Sequence, residues 1–369
     1  MKIKKITRII IVLMLILSLN ACGAKEENRV TTKEQGGSIT VIDNGDKENQ
    51  DPIISVEKIE RLENVEISDW LNEETVIVSK DNEKLGKMTL SELSDTYPKS
   101  LYFYNIKTKE YKPIKEQKDV LLGGGTLSAD KKYLIYSEYV LGDPAYYVMN
   151  LNTKDTFCIK GKDIDFAKSA IWFGNEIAGA SYKNGAYLAS ASGDISVLGG
   201  LKDESVFILR VTKDNVYYNT ENDASLIKMN RTTKEKTKLN LKNVFNVILS
   251  DDGSKMLVLQ SDNTKNTLLL CDLDGSNQVK ITEGTDIGGI SWSADQRMIA
   301  YNVKSAGTNA TVNGLYVYDI LTAKATQIAV DIQNASTSWG PKGDKLMYTQ
   351  WNGKVYDSNI AYLKSSIQK

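Results

Sequence analysis

Any chemistry in this sequence has to be built without histidine, because none occurs in its 369 residues. That removes the commonest general base, the usual zinc ligand and every Ser-His-Asp or Cys-His nucleophile arrangement. Three cysteines are present, Cys22, Cys158 and Cys271. The last two fall in non-neighbouring repeats, so they read as small buried apolar residues and not as a disulfide. Asp251 with Asp252, and Asp272 with Asp274 in DLDGSN, offer paired carboxylates. Their spacing falls short of a calcium-binding EF-hand loop and lacks its closing glutamate, which leaves turn chemistry. No G-x-S-x-G nucleophile elbow occurs. The expectation is therefore a chain with no metal, no cofactor and no catalytic residues. The alternative is a carbohydrate-active lyase or hydrolase using Asp, Glu or Tyr, which a lack of histidine permits.

Cys22 has a separate fate. Residues 1 to 21 begin with Lys2, Lys4, Lys5 and Arg8, continue through an apolar run from Ile9 to Leu19 and end in Asn20 and Ala21. Such a run is short for a membrane-spanning helix and right for a secretory signal. Leu19, Asn20, Ala21 and Cys22 resemble a bacterial lipobox, which implies signal cleavage and a diacylglyceryl anchor on Cys22. Two acyl chains, at ~0.8 kcal/mol per buried methylene, hold a protein on a membrane where one chain would be marginal. The stretch 22–52 is polar and charged apart from Ser38 to Ile42, and reads as a flexible tether. Abundant Lys, Asn and Ile favour an AT-rich genome and the outer leaflet of a Gram-positive membrane. Formal charge is −1, and losing the four basic residues of the signal makes it −5. A mildly acidic chain has no general attraction for nucleic acid, so that partner class is set aside.

From residue 53 to 369 the sequence repeats. Aligned on the position of Trp292 in SWSAD, the units carry Trp70, Leu127, Trp172, Val211, Leu249, Trp292 and Trp339, spaced 57, 45, 39, 38, 43 and 47 residues apart. That is the period of a propeller blade. A second landmark keeps the same phase. Third strands end in Asn or Asp before a polar turn, as in LYFYNIKTKE, YYVMNLNTKD, LIKMNRTTKE, LLLCDLDGSN and LYVYDILTAK. The third unit, with AYLASASGD, fits poorly. A small antiparallel sheet cannot bury both faces alone, so copies must stack.

These features resemble the TolB-like, WD40-like β-propeller repeat, with SWGPKGDKLMYT, LSDDGSKMLVL and SWSADQRMIAY standing for its turn after the first strand. The resemblance implies an all-β propeller of seven blades, with six the alternative, over 53–369. It also implies the binding of proteins, peptides or glycans. The last unit runs short of a fourth strand, and IISVEKIER ahead of the first blade is expected to supply it and close the ring.

Loops joining second to third strands vary most in length: Lys80 to Ser100, Val140 to Pro144 and Lys304 to Gly314. Variation confined to one face points to that face for function. Tyr97, Tyr139, Asn309, Asn313 and Trp351 are its candidate binding residues. Trp70, Trp172, Trp292 and Trp339, recurring one per blade, are expected to pack between blades. The partners expected are the membrane, through Cys22, and an unidentified protein or glycan.

Overall fold

Four short strands joined by tight turns recur along the chain, and each group pairs into an antiparallel sheet. The computed structural model describes residues 29–34, 37–42, 54–183, 185–306, 311–332 and 334–365. Helix among them is limited to two 3-10 turns, Glu83–Leu85 and Ser91–Leu93, and none is long and apolar enough to cross a membrane.

We number the sheets by their inner strands. Sheet 1 opens with Glu66–Asn72, sheet 2 with Leu121–Leu127, sheet 3 with Ile171–Phe173 and sheet 4 with Val206–Val211. Sheet 5 opens with Val244–Leu249, sheet 6 with Asp286–Trp292 and sheet 7 with Ser336–Trp339. Sheets 1 and 2 are joined by one parallel pairing, Lys99 with Leu121. Sheet 7 holds Lys345–Trp351 and Tyr356–Ser365, and its outer strand is Ile54–Leu62, paired antiparallel with Tyr356–Ser365. The chain is a β-propeller, as the repeat implies.

Seven buried clusters hold the sheets, each lying between two in succession. Ile77, Leu101, Leu134 and Tyr136 fill the space between sheets 1 and 2. Ile67, Trp70, Met347 and Ile360 do the same between sheets 1 and 7. At ~25 cal/mol per Å² of apolar surface removed from water, these interfaces are the main source of stability.

The aligned tryptophans reach across them. The Trp172 indole N–H donates to Thr126 O at 3.0 Å, that of Trp339 to Ser291 O at 3.3 Å and that of Trp70 to Ser338 O at 3.4 Å. Trp292 points at Ile248 O, 3.5 Å away. In every case the acceptor is the residue just before the aligned position of the preceding sheet. All four indoles lie at contacts between successive sheets.

The turns repeat as well. Ser128, Ser250 and Ser293 each donate a hydroxyl to the aspartate two residues on and accept a backbone N–H five residues on. At the third-strand ends, Asn105, Asn150, Asn230 and Asp319 each accept two backbone N–H groups with one side-chain oxygen. The fifth residue of each such turn, Lys109, Lys154, Lys234 or Ala323, has positive φ. Sheet 3 departs for a local reason. Its turn from Ser190 to Asp194 is one residue shorter, with Gly193 at φ 105° and the Ser190 hydroxyl in the asparagine's place.

Two expectations need correction. The segment Lys304 to Gly314 is not a loop at its ends, because the strands Met298–Ala306 and Thr311–Asp319 continue through it and pair Lys304 with Asn313 and Ala306 with Thr311. Within the stretch read as a tether, Arg29–Glu34 and Gly37–Ile42 form a two-stranded hairpin, with Arg29 opposite Ile42.

The junction of sheet 7 with sheet 1 contains a buried carboxylate. Asp357 accepts from Asn64 N at 2.9 Å, Asn352 Nδ2 at 2.8 Å and Arg61 Nη2 at 2.8 Å. Burial pushes its pKa up, but these donors outweigh that and hold it below the usual value. A carboxylate so depressed adds stability that is complete above its unfolded pKa, about 3.9, and is lost as pH falls through the folded value. Urea titrations at a series of pH values should therefore show wild-type stability falling below about pH 4. Asp357→Asn should start about 1–3 kcal/mol less stable at neutral pH and lose less on acidification.

Candidate functional site

Loops that join second to third strands, and one sheet to the next, share one face of a propeller. On that face, where sheets 7, 1 and 2 meet, the ends of five strands bring aromatic and charged side chains together. Trp351 and Tyr356 are the last cross-strand pair of a hairpin in sheet 7. Its turn is held by Asn352 Oδ1, which accepts from Lys354 N and Val355 N at 3.0 Å each. Gly353 sits in that turn at φ 97°, where a side chain would be strained. The two rings are 5.0 Å apart and inclined at 62°, an edge-to-face pair. Trp351 is 51% exposed and Tyr356 38%.

Sheet 1 brings the charges. Lys99, first residue of its third strand, places Nζ 5.3 Å from the Tyr356 ring centroid and 3.7 Å from Glu66 Oε2. Tyr139 ends the second strand of sheet 2. Burial, followed by the nearby Glu66 and Tyr356, pushes its hydroxyl pKa above the usual phenol value. The patch thus contains three aromatic rings, a carboxylate and an ammonium, all at least partly open to solvent.

Beside it, the longest loop among the described residues spans 82–98. Buried Met88 anchors it. Met88 N bonds Thr96 O at 2.9 Å, Asn82 N bonds Pro98 O at 2.8 Å, and the Asn82 amide donates to Ser100 Oγ and Glu116 Oε1. Tyr97 is half-buried within this frame, two residues before Lys99.

The structure therefore groups Tyr139 and Trp351 through Tyr356, with Tyr97 on the adjoining loop. Asn313 is separate, a strand residue of sheet 6 whose backbone O accepts from Asp331 N. Asn309 and Cys22 lie outside the described residues. Tyr356, Glu66 and Lys99 escape a search confined to loops, because they are terminal residues of strands. Phe207 and Phe245, exposed on the inner strands of sheets 4 and 5, escape it too. Their only signal is an interrupted alternation in VFI and VFN.

The acidic pairs serve turns. Asp252 accepts from Ser250, Ser254 N and Ser254 Oγ, Asp274 from Ser276, and Asp272 from Lys255 and Asn277. Among the described residues no group of three or more Cys, Asp or Glu could hold a metal. Cys158 and Cys271 are free thiols, and burial pushes Cys271 up to about 12.

No family model matches the chain, and no curated protein does. Solved structures do. An oligogalacturonate lyase in complex with manganese aligns over 93% of this chain and 98% of its own at 10% identity, with a TM-score of 0.62. The oligogalacturonate lyase of Vibrio parahaemolyticus aligns over 91% and 96% at 12% identity, with a TM-score of 0.62. The Cps50 (Swd1) β-propeller domain of Myceliophteria thermophila aligns over 84% and 99% at 12% identity, with a TM-score of 0.56. What these proteins share with this chain is the propeller fold.

Burial separates the two classes of tryptophan by function. In urea titrations Trp70→Ala, which empties a position only 2% exposed, should cost about 3–5 kcal/mol. Trp351→Ala should change stability by no more than about 0.5 kcal/mol, leaving it free to report on binding.

Proposed function

We propose that this protein is an extracytoplasmic lipoprotein, anchored through Cys22 to the outer leaflet of a Gram-positive membrane. Its propeller serves as a non-catalytic scaffold that binds a protein, peptide or envelope polymer. The observation that carries the reading is the open patch of Trp351, Tyr356, Tyr139, Glu66 and Lys99 on the loop face. Exposed aromatic rings with a few fixed polar groups are the composition of binding hot spots. The rings are held by strand ends, so little conformational freedom is lost when a ligand settles on them.

One acid of the inner strand of sheet 1, Asp69, is already occupied. Asp69 Oδ1 accepts from Trp70 N and Oδ2 from Leu127 N, both at 2.7 Å, so its oxygens are engaged by backbone. Burial raises its pKa despite Lys131 and these N–H donors. A glycoside hydrolase would need two carboxylates flanking the scissile bond.

Photoreactive residues at Tyr97 and Trp351 in intact cells should capture one discrete partner, and one at Asp252 on the opposite face should not. Cys22→Ser should move the chain from the membrane to the soluble fraction. Equal capture from both faces would remove the loop face as the binding surface. Unsaturated uronide ends released from polygalacturonate by the purified chain would replace the scaffold with a lyase.

A further inference from the structure

The inner strands of sheets 1, 2, 4, 5 and 6 each carry a bulge on the loop-face side. The register shifts between Ile67 and Asp69, Gly123 and Thr126, Val206 and Ile208, Val244 and Asn246, and Gly288 and Ser291. A bulge takes a residue out of the ladder and re-aims its side chain. Sheets 1 and 2 place serine or glycine there, and sheet 6 places Gly289 with Ile290. Sheets 4 and 5 place Phe207 and Phe245, 49% and 56% exposed, with ring centroids 6.3 Å apart. The rings border an open depression of about 660 Å³ whose lining includes Lys168, Asn243 and Asn263. Lys168 is paired with Glu221.

Three residues further along the strand from Phe207 lies Arg210. Its Nη1 donates to Leu209 O at 2.7 Å and its Nη2 to Asn246 Oδ1 at 3.0 Å, both neutral acceptors. Asn246 directly follows Phe245, so the guanidinium is tied to the strand that carries the second ring. Burial draws Arg210 down to about 10, and no carboxylate contributes against it. Arg297, by contrast, donates Nε and Nη2 to Asp319 Oδ2. The residues of the other sheets equivalent to Arg210 are Asp69, Thr126, Ile171, Ile248, Ser291 and Ser338. Of these seven equivalent positions sheet 4 holds the cation, and the acid among them, Asp69, is already engaged by backbone N–H groups. A cation drawn out of water and hydrogen-bonded to neutral acceptors favours an anion beside it.

We propose that the inner ends of sheets 4 and 5 bind an acidic peptide segment. Its carboxylate sits on Arg210, and an apolar side chain two or three residues away packs against Phe207 and Phe245. Three strand residues span about 10 Å, a distance an extended peptide covers in the same number. The two rings offer an apolar surface on which a hydrophobic side chain packs. Asn243 and Asn263 offer amides to the peptide backbone. The site is separate from the patch at sheets 7, 1 and 2, so its failure leaves that reading intact.

The test titrates the detergent-solubilised full chain with a short synthetic peptide carrying glutamate and phenylalanine three residues apart. Two controls have glutamine for glutamate, or serine for phenylalanine. At low salt each control should bind about 10-fold more weakly. Arg210→Met should abolish the preference for glutamate and keep that for phenylalanine, whereas Phe207→Ser with Phe245→Ser should do the reverse. Arg210→Lys, which keeps the charge, should retain part of the glutamate preference and serves if the methionine variant does not fold. Equal binding of all three peptides would overturn the proposal. So would an unchanged glutamate preference in a folded Arg210→Met chain, or binding of polygalacturonate with none of the peptides.

Discussion

A four-stranded sheet with apolar side chains on both faces cannot stand alone in water, and the rest of this structure follows from that constraint. Each cluster of buried residues is shared by two neighbours, so every sheet depends on the one before it and the one after. The indole N–H groups add direction to this non-directional force. A tryptophan that must both fill an interface and reach a particular carbonyl of the preceding sheet sets the height at which two sheets meet.

Arranging sheets about an axis crowds their inner strands and splays their outer ones. Five of the inner strands carry bulges, and bulges leave backbone groups outside the ladder. Polar residues on second strands answer for several of them. Asn219 accepts from Ile208 N at 3.0 Å and donates to Val244 O at 2.8 Å, bridging sheets 4 and 5. Ser79 donates to Leu122 O, and Thr349 to Ile67 O. These buried hydrogen bonds cost little because both partners are satisfied, and a sheet shifted by one residue would lose them.

The opposite face is occupied by turns whose serine, asparagine and aspartate side chains are consumed by their own backbones. The loop face differs because strand ends and bulges present side chains that nothing internal requires. Trp351 and Tyr356 on one side of the axis, and Phe207 and Phe245 on the other, remain open to water although each could have been polar without loss to the core. Lys99 and Glu66 accompany the first pair, and Arg210 lies three residues along the strand from Phe207.

By itself the sequence determined the local and periodic features: the tryptophan spacing, the turn residues that close each hairpin, and the shortage of a last strand that IISVEKIER fills. Such features depend on contacts a few residues apart or on a strict repeat, so they survive in one dimension. It also made Tyr139 and Trp351 candidates, because they flank connections of variable length. Only the tertiary structure decided which residues meet. Tyr356, Glu66 and Lys99 are ordinary strand termini until sheets 7, 1 and 2 converge, and Arg210 is an ordinary strand residue until its guanidinium meets Asn246 of the next sheet. Asn313 shows the reverse, a loop residue by pattern that pairing placed in a strand. Convergence of distant strand ends is set by how sheets pack about the axis, and no spacing along the chain records it.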